Sequence, residues 1–232
     1  MEQRQILDQA LTQARTALSQ DPDGDLPLAA RNALWLALGA PQEDEQGNPT
    51  GAGWRRRVRL SILTVQHLLP VWQQEHGDDP GPQNMLDLAE QVVKGQADRD
   101  AARSTSDDYW TMLSDFGFPE KKNEPPQVLP VCVGVAACRV VRTACVDYQM
   151  LLRQAEEQKR SQAEAEEGDV EGDKEIEDGD RDAWGWDESF FAAMACSGGT
   201  PWTPGSSTEN RRAFWQWYLD QAVPEAYASV TE

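Results

Sequence analysis

Histidine is almost missing from this chain. The two present, His67 and His76, are nine residues apart, which does not set two ligands on one helix face. No G-x-S-x-G elbow, Walker loop or dinucleotide fingerprint occurs either. These gaps leave no catalytic residue to nominate, no metal set and no cofactor. His76, just before Gly77, suits the C-terminus of a helix better than the role of a general base. Cysteine is scarce as well: Cys132, Cys138, Cys145 and Cys196. Three of them sit in one helix-like run at spacings of six and seven, too far apart to bridge one another and unlike any usual zinc pattern. They are expected to be reduced core residues.

Positive charge is in short supply. The 21 Lys and Arg face 40 Asp and Glu, for a formal net charge of −19. Such a chain is repelled by nucleic acid and by anionic membranes and attracts a basic partner, although acidity also serves solubility alone. Long apolar runs are absent too. None approaches the roughly 18 residues that span a bilayer, and MEQRQILDQALTQA lacks the apolar core of a signal peptide. A cytoplasmic protein without a membrane partner is expected.

What is present is helical periodicity. Leu7, Leu11, Ala14 and Leu18 stripe a first helix over Glu2 to Ser19, which DPDGD (Asp21 to Asp25) breaks. A second helix runs from near Pro27 to Gly39, and its Ala33–Leu38 run is apolar nearly all round. Pro41 to Gly53 is polar and Gly-rich, a loop. From Trp54, the residues Val58, Ile62, Val65, Leu69 and Trp72 share one helical face, with Pro70 expected to kink the helix or split off its last turn. The turn GDDPGP, with Asp79 as a cap and Pro82 in the first turn, leads to a helix carrying Leu86, Ala89 and Val93 and ending at Gly95. Arg55, Arg56, Arg57 and Arg59 form the densest basic cluster, expected to be a solvated face paired with local carboxylates.

Gln96 to Phe116 is a further helix, with Tyr109, Trp110 and Leu113 at its buried end. A connector covers 117–127. Val128 to Gln158 reads as the longest helix, apolar first and polar later. Trp184 to Ser197 is helical with Asp187 as cap and Phe190, Phe191 and Met194 inward. After a loop with Trp202 comes a helix capped by Ser207, burying Phe214, Trp215, Tyr218 and Leu219 and ended by Pro224. Period-two alternation and hairpin turns are missing, so the fold class is all-α: a multi-helix bundle of antiparallel helical hairpins.

Between Glu156 and Asp182 lie thirteen acidic and four basic residues, a net of −9. With few aliphatics, this tract is expected to be a disordered or mobile insertion. Glu167 to Asp178 imitates the spacing of a calcium loop but lacks Asp at the first place and Glu at the twelfth. The expected organisation is a helical part over 1–155, the acidic insertion over 156–183, and a C-terminal helical part over 184–232 packing on the same core.

Two segments together resemble a known family. HLLPVWQQEHGDDPGPQNMLDLAEQVVKG (His67 to Gly95) is similar to the helix–elbow–helix of the Imm5-like immunity proteins of bacterial polymorphic toxin systems. SGGTPWTPGSSTENRRAFWQWYLDQAVPEAY (Ser197 to Tyr227) resembles their C-terminal part, with its RR-x-FW-x-WYL-x-x-AVP pattern. The resemblance implies a non-catalytic, cytoplasmic helical protein that binds and neutralises a cognate toxin. A basic toxin would be steered to an acidic inhibitor. The residues expected to meet it are Asp78 and Asp79 at the elbow, and Trp202, Arg211, Arg212 and Trp217, since Trp and Arg are frequent interface hot spots. Other readings of the same residues are a DNA-mimic inhibitor in phage defence or counter-defence, a helical scaffold self-associating through the helix from Val128, and an enzyme with a pocket of Trp and Arg.

Overall fold

A computed structural model describes residues 2–117, 128–147 and 186–230. The connector expected over 117–127 (except Gly117), the helical run expected beyond 147 and the acidic tract 156–182 lie outside the described residues. The described chain is helical almost throughout: α1 (Glu2–Gln20), α2 (Leu28–Ala37), α3 (Gly51–His76), α4 (Gly81–Val93), α5 (Arg99–Gly117), α6 (Val128–Cys145), α7 (Glu188–Ser197), α8 (Thr208–Trp217) and α9 (Val223–Ala228), with a π-helical turn at Tyr218–Ala222. The all-α expectation is met. The exception lies in the supposed loop 41–53. There β1 (Gln42–Glu43) and β2 (Pro49–Thr50) pair antiparallel, Gln42 opposite Thr50. Asp44 closes that small turn by accepting from the backbone N–H groups of Gln46 and Asn48.

The centre of the molecule is α6, which packs against α3, α4, α5 and α7. Its first two turns carry no charge, and its Gly, Ala and Cys residues let neighbours come close. A side chain at Gly134 would strike Leu113 of α5. Ser106 donates to the Cys138 carbonyl (3.0 Å) and the Trp54 indole to that of Thr143 (3.2 Å), fixing α5 and α3 on it. The cysteines are free thiols, three of them buried. Burial pushes Cys132 and Cys138 up to about 12 and Cys145 and Cys196 up to about 11, so none is a thiolate at neutral pH.

Several local expectations give way. Leu36 is exposed, because Ala33 and Leu36 form the solvent face of α2 while Leu34, Trp35, Ala37 and Leu38 enter the core. On α3 Leu68 is buried in place of Leu69, which is half-buried beside it. Helix α3 runs through Pro70 to His76. Pro70 offers no N–H to the Gln66 carbonyl, and both residues are on the exposed side of the helix. Pro224 does not end its helix. The Val223 N–H bonds to the Tyr218 carbonyl five residues back, and this widened turn absorbs the missing donor of Pro224 at the start of α9. Helix α6 ends at Cys145, and beyond it Asp147 turns inward to a buried partner.

That partner is Arg57, and the basic cluster is where the sequence misleads most. Arg55 faces solvent and Arg59 pairs with Glu225, but Arg56 and Arg57 are buried. Arg57 grips Asp147 with two hydrogen bonds, one of them 2.8 Å from Nε to Oδ1. Its Nη1 donates to the carbonyls of Trp35 (3.1 Å) and Gly39 (2.6 Å) at the end of α2. Arg56 donates to Leu38 and Val230 carbonyls and lies over the Tyr227 ring. Arg31, equally buried, pairs with Asp187 at 3.2 Å between the rings of Phe190 and Trp215. The α2–α3 junction is tight: Gly39 (φ +139°) and Gly53 touch backbone to backbone, leaving no room for a Cβ on either.

Beside these pairs lies Glu188, fully buried, accepting from Ser61 Oγ at 2.6 Å. Burial, and then the neighbouring Asp187, hold its carboxyl well above the ordinary glutamate range. Two outcomes follow. Arg57→Met strands the Asp147 charge and should lower unfolding stability by about 3–5 kcal/mol in urea titrations, with Arg57→Met/Asp147→Leu recovering much of the loss. Because native Glu188 keeps a proton that the unfolded chain releases, its stabilising share is full below the ordinary glutamate range and is lost as pH rises through the elevated value. Glu188→Gln should flatten that decline in thermal melts taken from pH 5 to 9.

Candidate interaction surface

The four large exposed apolar side chains among the described residues are Ile6, Leu36, Met112 and Trp202. Trp202 is the largest and is 53% exposed. It stands on the loop joining α7 to α8, and that loop is cross-linked throughout. Gly198 (φ +84°) ends α7 in the left-handed conformation favoured by glycine. Ser197 donates to the Gly199 carbonyl, Thr200 and Thr203 hydroxyls meet at 2.7 Å, Ser206 Oγ donates to the Thr200 carbonyl, and the Ser207 N–H returns to Ser197. Ser207 then caps α8 by accepting from Asn210, as Asp187 caps α7 by accepting from Phe190. Under the loop, the Trp202 ring stacks on Phe190 at 6.0 Å and meets half-buried Trp186 at 6.2 Å. An aromatic side chain held out on a rigid support loses little freedom on binding, which favours it as an anchor.

Arg211 holds this support from below and is not on the surface. It is fully buried, and its donors go to the carbonyls of Asp23 (2.8 Å), Gly199 (3.2 Å) and Thr200 (3.0 Å) and to Ser206 Oγ (2.9 Å). Arg212 is half-buried and donates to the carbonyls of Leu18 and Asp21, serving the C-terminal end of α1. The doublet looks like a surface hot spot in sequence, but loop carbonyls claim the Arg211 guanidinium and carbonyls at the end of α1 claim that of Arg212. Trp217 is half-buried and stacks on His67 of α3 at 3.8 Å, with Phe214 behind it. Asp78 and Asp79 are exposed at the α3–α4 elbow. Asp79 accepts from the Gly81 N–H at 3.1 Å and its carbonyl takes the Trp72 indole N–H, while Tyr109 lies against Gly81. Among the described residues, no hydrogen bond or ring contact joins the elbow, Trp217 and Trp202.

Sequence reasoning missed Trp186 and His67 as partners of the exposed tryptophans. Trp186 was legible in principle, since it directly precedes the Asp187 cap, a place where apolar residues commonly fold back on a helix. His67 carried no comparable signal. A cleft of about 290 Å³ between α1 and α8 is lined by Arg15, Leu18, Ser19, Arg212, Gln216, Leu219 and Asp220. Arg15 and Asp220 pair across it at 2.9 Å, both about half exposed, and Ser19 Oγ donates to the Thr16 carbonyl. Among the described residues no three His, Cys, Asp or Glu side chains gather as a metal set, and no helix is long and apolar enough to cross a membrane. Arg211→Met should cost about 2–4 kcal/mol in urea titrations by orphaning buried carbonyls, and should speed amide hydrogen exchange across 198–207.

No curated protein matches the chain. A family model described as Immunity protein Imm5 matches residues 11–225, nearly its whole length, and the chain belongs to that family of immunity proteins.

Proposed function

We propose that this chain binds a cognate toxin and neutralises it by covering the toxin's active or substrate-binding surface. The observation that carries the reading is Trp202, a large aromatic side chain held half in solvent on a cross-linked loop. Family membership supports a binding role in preference to catalysis. The net charge of −19 supports a basic toxin as partner, drawn in by long-range attraction before close contact forms. In this reading Trp202 anchors, Trp217 with His67 contributes at a second place, and Asp78, Asp79 and the acidic tract speed encounter. Arg211 and Arg212 act through the fold by keeping the Trp202 loop in place. Self-association through the helix from Val128 is the weaker reading, since most of α6 is buried and, among its described side chains, only Leu129, Arg139 and Arg142 are partly exposed.

Binding and killing assays with the toxin test this. Trp202→Ala should weaken binding by about 30-fold, the scale of an interface hot spot, and abolish protection at low expression. Asp78→Asn/Asp79→Asn should slow association and weaken its salt dependence while leaving dissociation nearly unchanged. Deletion of 160–180 should leave protection in place. A folded Trp202→Ala protein that binds as tightly as the parent would sink the anchoring role.

A further inference from the structure

The chain leaves the described core after Asp147 and returns at Trp186, and both ends are fastened to the same stretch of α3. On the leading side, fully buried Asp147 is held by two hydrogen bonds from Arg57. On the returning side, Glu188 accepts from Ser61 Oγ at 2.6 Å, and Asp187 caps α7 while pairing with Arg31. Arg57 and Ser61 are successive turns of one helix, about 6 Å apart along its axis. Ser61 Oγ also lies 3.1 Å from the Arg57 carbonyl. The 38 residues from 148 to 185 therefore begin and end at one place on the core.

Everything else that joins the two described parts is non-covalent and extensive. Helix α7 packs on α6 and α3, α9 on α3, and α8 on α1. Buried polar contacts span the same divide: the Trp35 indole to Tyr218 Oη at 3.1 Å, the Trp215 indole to Asp25 at 2.7 Å, and Arg56 to the Val230 carbonyl at 3.1 Å. Phe190, Trp215 and Tyr218 are core residues contributed wholly by the C-terminal part. Such an interface resembles the interior of a domain more than a contact between domains.

We infer that the covalent link through 148–185 is not needed to hold the molecule together: residues 2–147 and 186–230 close one core by contact alone. The insertion is then a place where the chain can be shortened, changed or cut while the Trp202 loop stays mounted on the N-terminal helices. Because the insertion's ends are already adjacent, a short linker can replace it with little strain.

The test uses the full chain. A recognition sequence for a site-specific protease replaces 166–172, the chain is cut, and the product is followed by native mass spectrometry, size exclusion and thermal melting against the uncut protein. The two fragments should stay together at the intact mass and melt within about 5 °C of the uncut chain at micromolar concentration. A second variant joins Asp147 to Trp186 through six Gly and Ser residues, which reach about 20 Å. It should melt cooperatively at or above the parent temperature. Separation of the fragments after cutting, or loss of cooperative melting in the joined variant, overturns the inference; if the chain resists cutting, the joined variant decides. None of these readouts involves a toxin, so failure here is distinct from failure of the binding role.

Discussion

The Arg57 guanidinium reaches both oxygens of Asp147 and the carbonyls of Trp35 and Gly39. Few single groups could draw together the end of α2, the start of α3 and the segment after α6. A buried charge of this kind is costly unless hydrogen bonds and an opposite charge compensate it, and removal of one partner leaves an expensive remainder. Buried guanidiniums recur at Arg31 with Asp187, at Arg56 with two carbonyls, and at Arg211 beneath the Trp202 loop, the last two with only their Nη atoms bonded and Nε left without an acceptor among the described residues. Planar guanidiniums with five donors suit this work, since helix ends and loops offer carbonyls that no backbone N–H reaches. The helices supply apolar surface; the arginines determine how their ends and connections are registered.

This arrangement also explains which parts of the molecule are legible in its sequence. Helix positions, the Asp187 and Ser207 caps, and the inward Phe190, Phe214 and Trp215 follow from periodicity and capping, because those rules are local. The family resemblance rests on the elbow and on the C-terminal aromatic run, and both are packing features, so it points to the fold directly and to the activity only through membership. The arginines are different. Nothing local separates Arg57, buried against a carboxylate ninety residues away, from Arg55, which faces water. Pro224 misled for a related reason: whether a proline breaks a helix depends on what the neighbouring turn can absorb, and here a widened turn takes up the missing donor.

Taking arginine inside has a consequence for recognition. Trp202 and carboxylates such as Asp78 and Asp79 stay exposed, while Arg211, which would ordinarily be counted among hot-spot residues, is consumed by the fold. The exposed Trp202 ring is also mechanically continuous with the core, through Arg211 to the DPDGD loop and through Phe190 to Arg31.

The backbone contact of Gly39 with Gly53 sets a different kind of limit. Most surface positions here tolerate exchange, and a helical core accepts many repackings of similar volume. At this crossing one added methyl on either glycine would drive α3 away from the end of α2 by pressing on main chain that has nowhere to go. The Gly39 carbonyl would move with it, out of reach of Arg57. Two hydrogen atoms, the ones that stand where a Cβ would be, therefore set how near the end of α2 can lie to the start of α3.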